Sequence, residues 1–183
     1  MCLSLLRLRV RSIIGVTNMF DNALPDEAEI ILALDVGKVT GACLWVTNYP
    51  ERVITTEIPT RYKVRDVVED LVLNNDNKVT IACENFVISQ RTIKTAQDHN
   101  ALRLIGWLDL FCEKHDVEFY LRTASSAKSF ATDEKLKVLD WYTPTKDGHA
   151  NDASRHMVLQ IRDSYREIFT TNILPQLAKA LLR

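Results

Sequence analysis

The sequence predicts an α/β fold: a five-stranded mixed sheet flanked by helices, in a single domain. Three observations carry this reading. Two near-continuous apolar runs, EIILALD (29–35) and KVTIACE (78–84), read as strands buried on both faces, and each ends in a carboxylate. Two further β-rich runs, TGACLWV (40–46) and RVITTEI (52–58), follow the first at hairpin-like spacing, which suggests an antiparallel meander. Segments with helical spacing of apolar residues then alternate with the remaining strands, as in a sheet covered by helices.

The elements follow in order. Pro59 precedes RYKVRDVVEDLVL (61–73), where Val64, Val67, Val68 and Leu71 keep the spacing of one helix face. A long amphipathic helix is expected from about Thr92 to Lys114, with Ile93, Ala101, Leu104, Ile105, Leu108, Phe111 and Cys112 on one broad face. VEFYLR (117–122) reads as the fifth strand. Short helices at SSAKSFA (125–131) and DEKLKVLDW (133–141) lead through TPTKDG, a turn by its Pro and Gly, into a final long helix. The first 27 residues are expected to form a flexible N-terminal extension, and residues 28–183 the folded domain. Residues 1–20 carry three arginines and no acid, so organellar targeting by residues 1–18 is the lesser alternative.

Composition narrows the function classes. The chain has 183 residues, 46% hydrophobic and 26% charged, with a formal net charge of −1. Nucleic-acid binding therefore cannot be argued from overall charge, and any basic surface must be local. Cys2, Cys43, Cys83 and Cys112 lie far apart with no C-x-x-C pair. They fit neither a zinc-finger pattern nor a disulfide framework, and read as reduced thiols of an intracellular, cytoplasmic protein. No apolar run approaches the roughly 18–20 residues of a membrane span.

The stretch KDGHANDASRHMVLQ (146–160) holds two of the four histidines. In a helix starting near Gly148, His149, Asp152 and His156 fall on one stripe beside an apolar stripe of Ala153, Met157, Ile161 and Ile168. A metal or proton-transfer site could be built at that border; a solvated or N-capping cluster is the simpler reading of the stretch alone. Asp35 and Glu84 sit at the carboxyl ends of apolar strands, where open α/β sheets place their ligands. Burying two acids there is costly without a cation, which suggests a metal pocket facing the start of the helix. Taken singly, Asp35 reads as a turn-forming residue and Glu84 as a surface acid. Gly37 and Gly41 are expected to keep the turn after Asp35 compact and to let a phosphate backbone approach.

Together these stretches resemble the RuvC-type Holliday junction resolvases of the ribonuclease H-like fold, especially their small viral and phage relatives. The resemblance covers about residues 29–168. It rests on LDVGKVTG for the first acid, CENFVISQRT for the second, RLIGWL in the following helix, and HANDASRH for the last pair. The chain departs from bacterial members in lacking Pro-Gly after the first acid and in carrying the N-terminal extension.

The resemblance implies that Asp35, Glu84, His149 and Asp152 are the metal-binding and catalytic set. It implies hydrolysis of a phosphodiester by water, with Mg²⁺ as cofactor, two ions per active site about 4 Å apart, and Mn²⁺ able to substitute. Asp35 would bridge the ions, Glu84 and Asp152 would each complete one shell, and His149 would ligate or orient water. His156, a further turn along, is expected only to support the site or the surface. The implied partner is branched DNA, a four-way junction, bound by a homodimer so that two sites nick symmetric strands. The apolar face at 93–112, with Trp107, is the expected contact between copies.

Candidate DNA contacts are Arg91, Lys94, Lys128, Lys135, Lys137 and Lys146 for phosphates, and Phe86 as a wedge or stacking platform. Phe86 reads equally well as a core residue. Three alternatives differ in class. One is a nuclease of the same fold acting on flaps, forks or RNA–DNA hybrids. Another is a sugar-kinase or actin-like ATPase, for which 183 residues are too few to repeat the fold. The third is a non-catalytic junction-binding protein, which would be expected to lack one of the acids.

Overall fold

The structure, a computed structural model, describes residues 28–86 and 96–180. The expected N-terminal extension lies outside the described residues, as do Arg91 and Lys94. Five strands form one mixed sheet: β1 (Glu29–Asp35), β2 (Thr40–Val46), β3 (Val53–Ile58), β4 (Lys78–Glu84) and β5 (Glu118–Arg122). Their spatial order is β3-β2-β1-β4-β5. The meander β1-β2-β3 is antiparallel, whereas β4 runs parallel to both β1 and β5. The fold predicted from the sequence is the one observed.

Strand alternation sorts side chains onto two faces. Ile30, Leu32, Leu34, Ala42, Leu44, Val79, Ile81 and Cys83 pack beneath α1 (Arg61–Leu73) and α2 (Ala96–Lys114). Helix α1 begins where Thr60 caps it, its hydroxyl accepting from Lys63 N–H at 3.3 Å. Ile31, Ala33, Cys43, Trp45 and Ala82 pack on the opposite face. That face is covered by α4 (Asp133–Val138), by α5 (His149–Ser164), and by the C-terminal segment described below. Both faces of the central strands are thus covered, which explains why their sequences are apolar without alternation.

Helix α5 is the main element on this second face. Ala153, Met157, Val158 and Ile161 enter the core. Gly148 begins it in a left-handed conformation, φ 78°. Buried Asn151 fastens the preceding loop, accepting from Thr143 N–H and donating to Thr143 O, both at 2.8 Å. Helix α3 (Ala124–Phe130) packs alongside α5. The final helix is shorter than its periodicity suggests. It stops at Tyr165, and the chain continues as a turn of helix at Arg166–Ile168, a π-helical turn at Phe169–Ile173, and a last helix at Leu174–Ala180. Tyr165 is held there by its hydroxyl on Glu29 and by edge-on contact with Trp45. No helix among the described residues is long and apolar enough to cross a membrane.

Candidate metal centre

The geometry of the sheet brings the acids together. Asp35 and Glu84 end the adjacent parallel strands β1 and β4, both on the face covered by α5. Opposite Asp35 in the β1–β2 register stands Gly41. A methyl group placed at Gly41 would lie 1.8 Å from the carbonyl oxygen of His149 and 2.9 Å from the amide nitrogen of Ala150. The first turn of α5 therefore rests directly on the β2 backbone. This glycine serves the close approach of a helix, rather than the approach of a phosphate expected from the sequence.

That contact sets the rotation of α5 over the strand ends. His149 Nδ1 lies 2.7 Å from Asp35 Oδ2, and His156 Nε2 lies 3.2 Å from Glu84 Oε2. Asp35, Glu84 and His156 can each offer a donor atom within 4.8 Å of the others, a set able to hold a metal ion. Two hard carboxylate oxygens with one imidazole fit Mg²⁺ or Mn²⁺ better than a soft-ligand metal. The sequence put His156 outside the ligand set. The structure buries it against Glu84, with 1% of its surface exposed.

Protons are distributed along this group. Burial and the neighbouring Glu84 together raise the Asp35 carboxyl to about 7, against the opposing hydrogen bond from His149. Burial also works against the charge of Glu84, but hydrogen bonds donated by His156 and Asp35 outweigh it and hold this carboxyl below its ordinary value. Below about pH 7, and without a cation, the pair thus shares one proton on Asp35, which donates to Glu84. The buried thiols play no such part. Burial pushes Cys43 up to about 12 and Cys83 well above the usual thiol range, so neither offers a thiolate.

Asp152 lies on the same helix face but has other partners. Its Oδ1 accepts from Arg155, and its Oδ2 lies 3.0 Å from Lys128 Nζ. Arg155 also pairs with Asp133 and donates to Ala131 O at 3.0 Å. Asp152, Lys128, Arg155 and Asp133 line an open cleft of about 560 Å³, together with Thr132, Tyr142, Lys146 and Asn151. Of the candidate DNA contacts, Lys128 and Lys146 therefore face one groove. Lys135 donates to Phe130 O at 2.5 Å, and Lys137 sits 4.9 Å from the Tyr142 ring centre. Phe86 packs on the core beneath α1 and α2. Trp107 stacks on Phe111 with centroids 4.8 Å apart, and the Arg65 guanidinium lies 5.0 Å from its ring centre.

The strand order, the acids at adjacent strand ends and the covering helix define a ribonuclease H-like fold of the RuvC type. Among solved structures the chain is similar to T. thermophilus RuvC in complex with a Holliday junction substrate. The TM-score is 0.52 at 10% identity, over 70% of this chain and 89% of that one. At that identity the likeness is one of fold. No family model and no curated protein matches the chain.

One expected result arises directly from the burial of His156. Its Nδ1 is buried without a partner among the described residues, so the ring's contact with Glu84 is made through Nε2. His156→Ala removes one of the donors to Glu84 and should weaken Mn²⁺ binding about 10–100-fold, the usual cost of losing a supporting or ligating group. His156→Gln, whose amide can donate to Glu84, should recover part of it. Calorimetric titration of Mn²⁺ checks both, and unchanged affinity in His156→Ala would remove His156 from the site.

Proposed function

We propose that the protein is a structure-specific DNA endonuclease that resolves four-way junctions by metal-dependent phosphodiester hydrolysis. The observation that supports this most is the meeting of Asp35, Glu84 and His156 at the carboxyl ends of adjacent parallel strands in a RuvC-like sheet. Mg²⁺ is the proposed cation, with Mn²⁺ able to substitute, and Asp35, Glu84 and His156 would hold it. Such an ion, when bound, lowers the pKa of water and neutralises charge on the scissile phosphate.

The chain's own residues supply the remaining chemistry. His149 Nδ1 is engaged by Asp35, which leaves Nε2 to exchange a proton with water or the leaving oxygen. Its side chain is 32% exposed and lies beside Gly37, so solvent can reach it. Lys128 and Lys146 offer positive charge to phosphates entering the cleft. Asp152 keeps the Lys128 ammonium close to that chemistry. His149→Ala should slow single-turnover cleavage on the order of 10²-fold, as for a lost acid–base group.

The test is a panel of labelled substrates: a four-way junction, a flap, a fork and an RNA–DNA hybrid, each with Mg²⁺ and with EDTA. Cutting of the junction above the others, abolished by EDTA, is expected. Preferential cutting of another substrate would keep the hydrolase and discard the junction preference. Two symmetric nicks require two sites, so the active form is proposed to be a homodimer. Trp107 is already engaged by Phe111 and Arg65, which leaves Leu110, 67% exposed on α2, as the apolar group for such a contact. Sedimentation of the protein with junction DNA should give two chains per junction.

A further inference from the structure

The two sides of the candidate centre differ in what holds their acids. Among the described residues, Asp35, Glu84 and His156 form the one group whose donor atoms converge as a cation requires. Asp152 is outside it, and both of its oxygens are already taken by cations. The Arg155 guanidinium is fixed on three sides, by Asp152, by Asp133 and by the carbonyl of Ala131. Its side chain is 14% exposed, so displacing it would strand a largely buried charge. Lys128, on α3, reaches the other oxygen of Asp152.

Charge balance points the same way. Asp152, Asp133, Arg155 and Lys128 form a cluster whose formal charges cancel, so a second divalent ion would gain no net attraction there. Among the described residues, the Asp35–Glu84 pair is hydrogen-bonded by the two imidazoles and salt-bridged by no Lys or Arg.

We propose that this centre holds a single divalent ion, bound by Asp35, Glu84 and His156, and that Lys128 occupies the place on Asp152 that a second ion would take. Arg155 fixes Asp152 so that it presents Lys128, rather than a metal, to the cleft. This rests on the hydrolase reading above and departs from the two-ion centre implied by the sequence resemblance.

The experiment counts Mn²⁺ on the full chain by calorimetry and by electron paramagnetic resonance, alone and with a four-way DNA junction. One Mn²⁺ per chain with a mononuclear signal is expected in both. Asp152→Asn should keep that one ion, with affinity changed by less than about tenfold, the lower limit for losing a supporting group. Lys128→Met, similar in length but neutral, should uncover the carboxylate and raise the count from one to two. A count that stays at one in Lys128→Met would overturn the role given to Lys128. Two ions per chain in the wild type, or loss of the single ion in Asp152→Asn, would overturn the one-ion centre and leave the hydrolase reading standing. No Mn²⁺ uptake under any condition would overturn both together.

Discussion

Asp35→Asn should abolish metal-dependent cleavage and at the same time make the metal-free protein more stable at pH 8. The first effect follows from the loss of a charged oxygen ligand, and the expected drop is on the order of 10³-fold or more. The second follows from the burial of Asp35 beside Glu84, which raises its carboxyl from 3.8 to about 7. The folded state then binds the proton more tightly than the unfolded state. Between about pH 4 and pH 7 the unfolded chain releases that proton first, so this group lowers stability as pH rises, and the full penalty remains above pH 7. An amide carries no such penalty and keeps both contacts, its NH₂ donating to Glu84 and its oxygen accepting from His149. A gain of about 1 kcal/mol at pH 8 is expected, within the range of single stabilising changes. Thermal unfolding in EDTA reads it. The same linkage predicts that Mg²⁺ raises the melting temperature of the wild type more at pH 8 than at pH 6, because cation and proton compete for one carboxylate.

Gly41→Ala carries the second large effect, from outside the set of ionisable residues. The added methyl would meet the His149 carbonyl at 1.8 Å, and backbone cannot step aside as a flexible side chain does. Helix α5 must lift from β2 or tilt, which moves His149 away from Asp35 and His156 away from Glu84. A loss of about 3 kcal/mol is expected, at the upper end for overpacking. Cleavage should fall with it, and Mn²⁺ affinity should drop even at temperatures where the variant stays folded. Gly37→Ala is the control. Its methyl would meet Val39 O at 3.0 Å and the His149 ring at 3.8 Å, a milder contact that should leave metal binding nearly intact.

Gly41 also marks where sequence reading stops. The acids at 35 and 84 were legible as a pair, because both end apolar runs at the carboxyl ends of strands; singly, each reads as a turn or surface residue. The helix bearing His149, Asp152 and His156 was legible from its spacing, since these residues share one stripe. Which of the three meets the acids depends on how the helix is rotated over the strand ends. That rotation is set by a tertiary contact at Gly41, which leaves no periodic trace. His156 was accordingly read only as a support of the site or the surface, not as a ligand. The Asp152–Arg155 pair is an i,i+3 pair visible in the sequence, but its closure by Asp133 and Lys128 comes from α4 and α3 folding back over α5. The break at Tyr165 was equally hidden, because neither proline nor glycine marks it and its cause is a contact with Glu29 in the first strand.

Nicking of a strand-labelled four-way junction by the wild type and by Glu84→Gln, under single turnover with Mg²⁺ or EDTA, is the most direct test of a metal hydrolase built on these two strand ends. The expected result is paired nicks at symmetric positions with wild type and Mg²⁺, and none with EDTA or with Glu84→Gln, although the variant still binds the junction through its phosphate contacts. Undiminished nicking by Glu84→Gln, or by the wild type in EDTA, would contradict it.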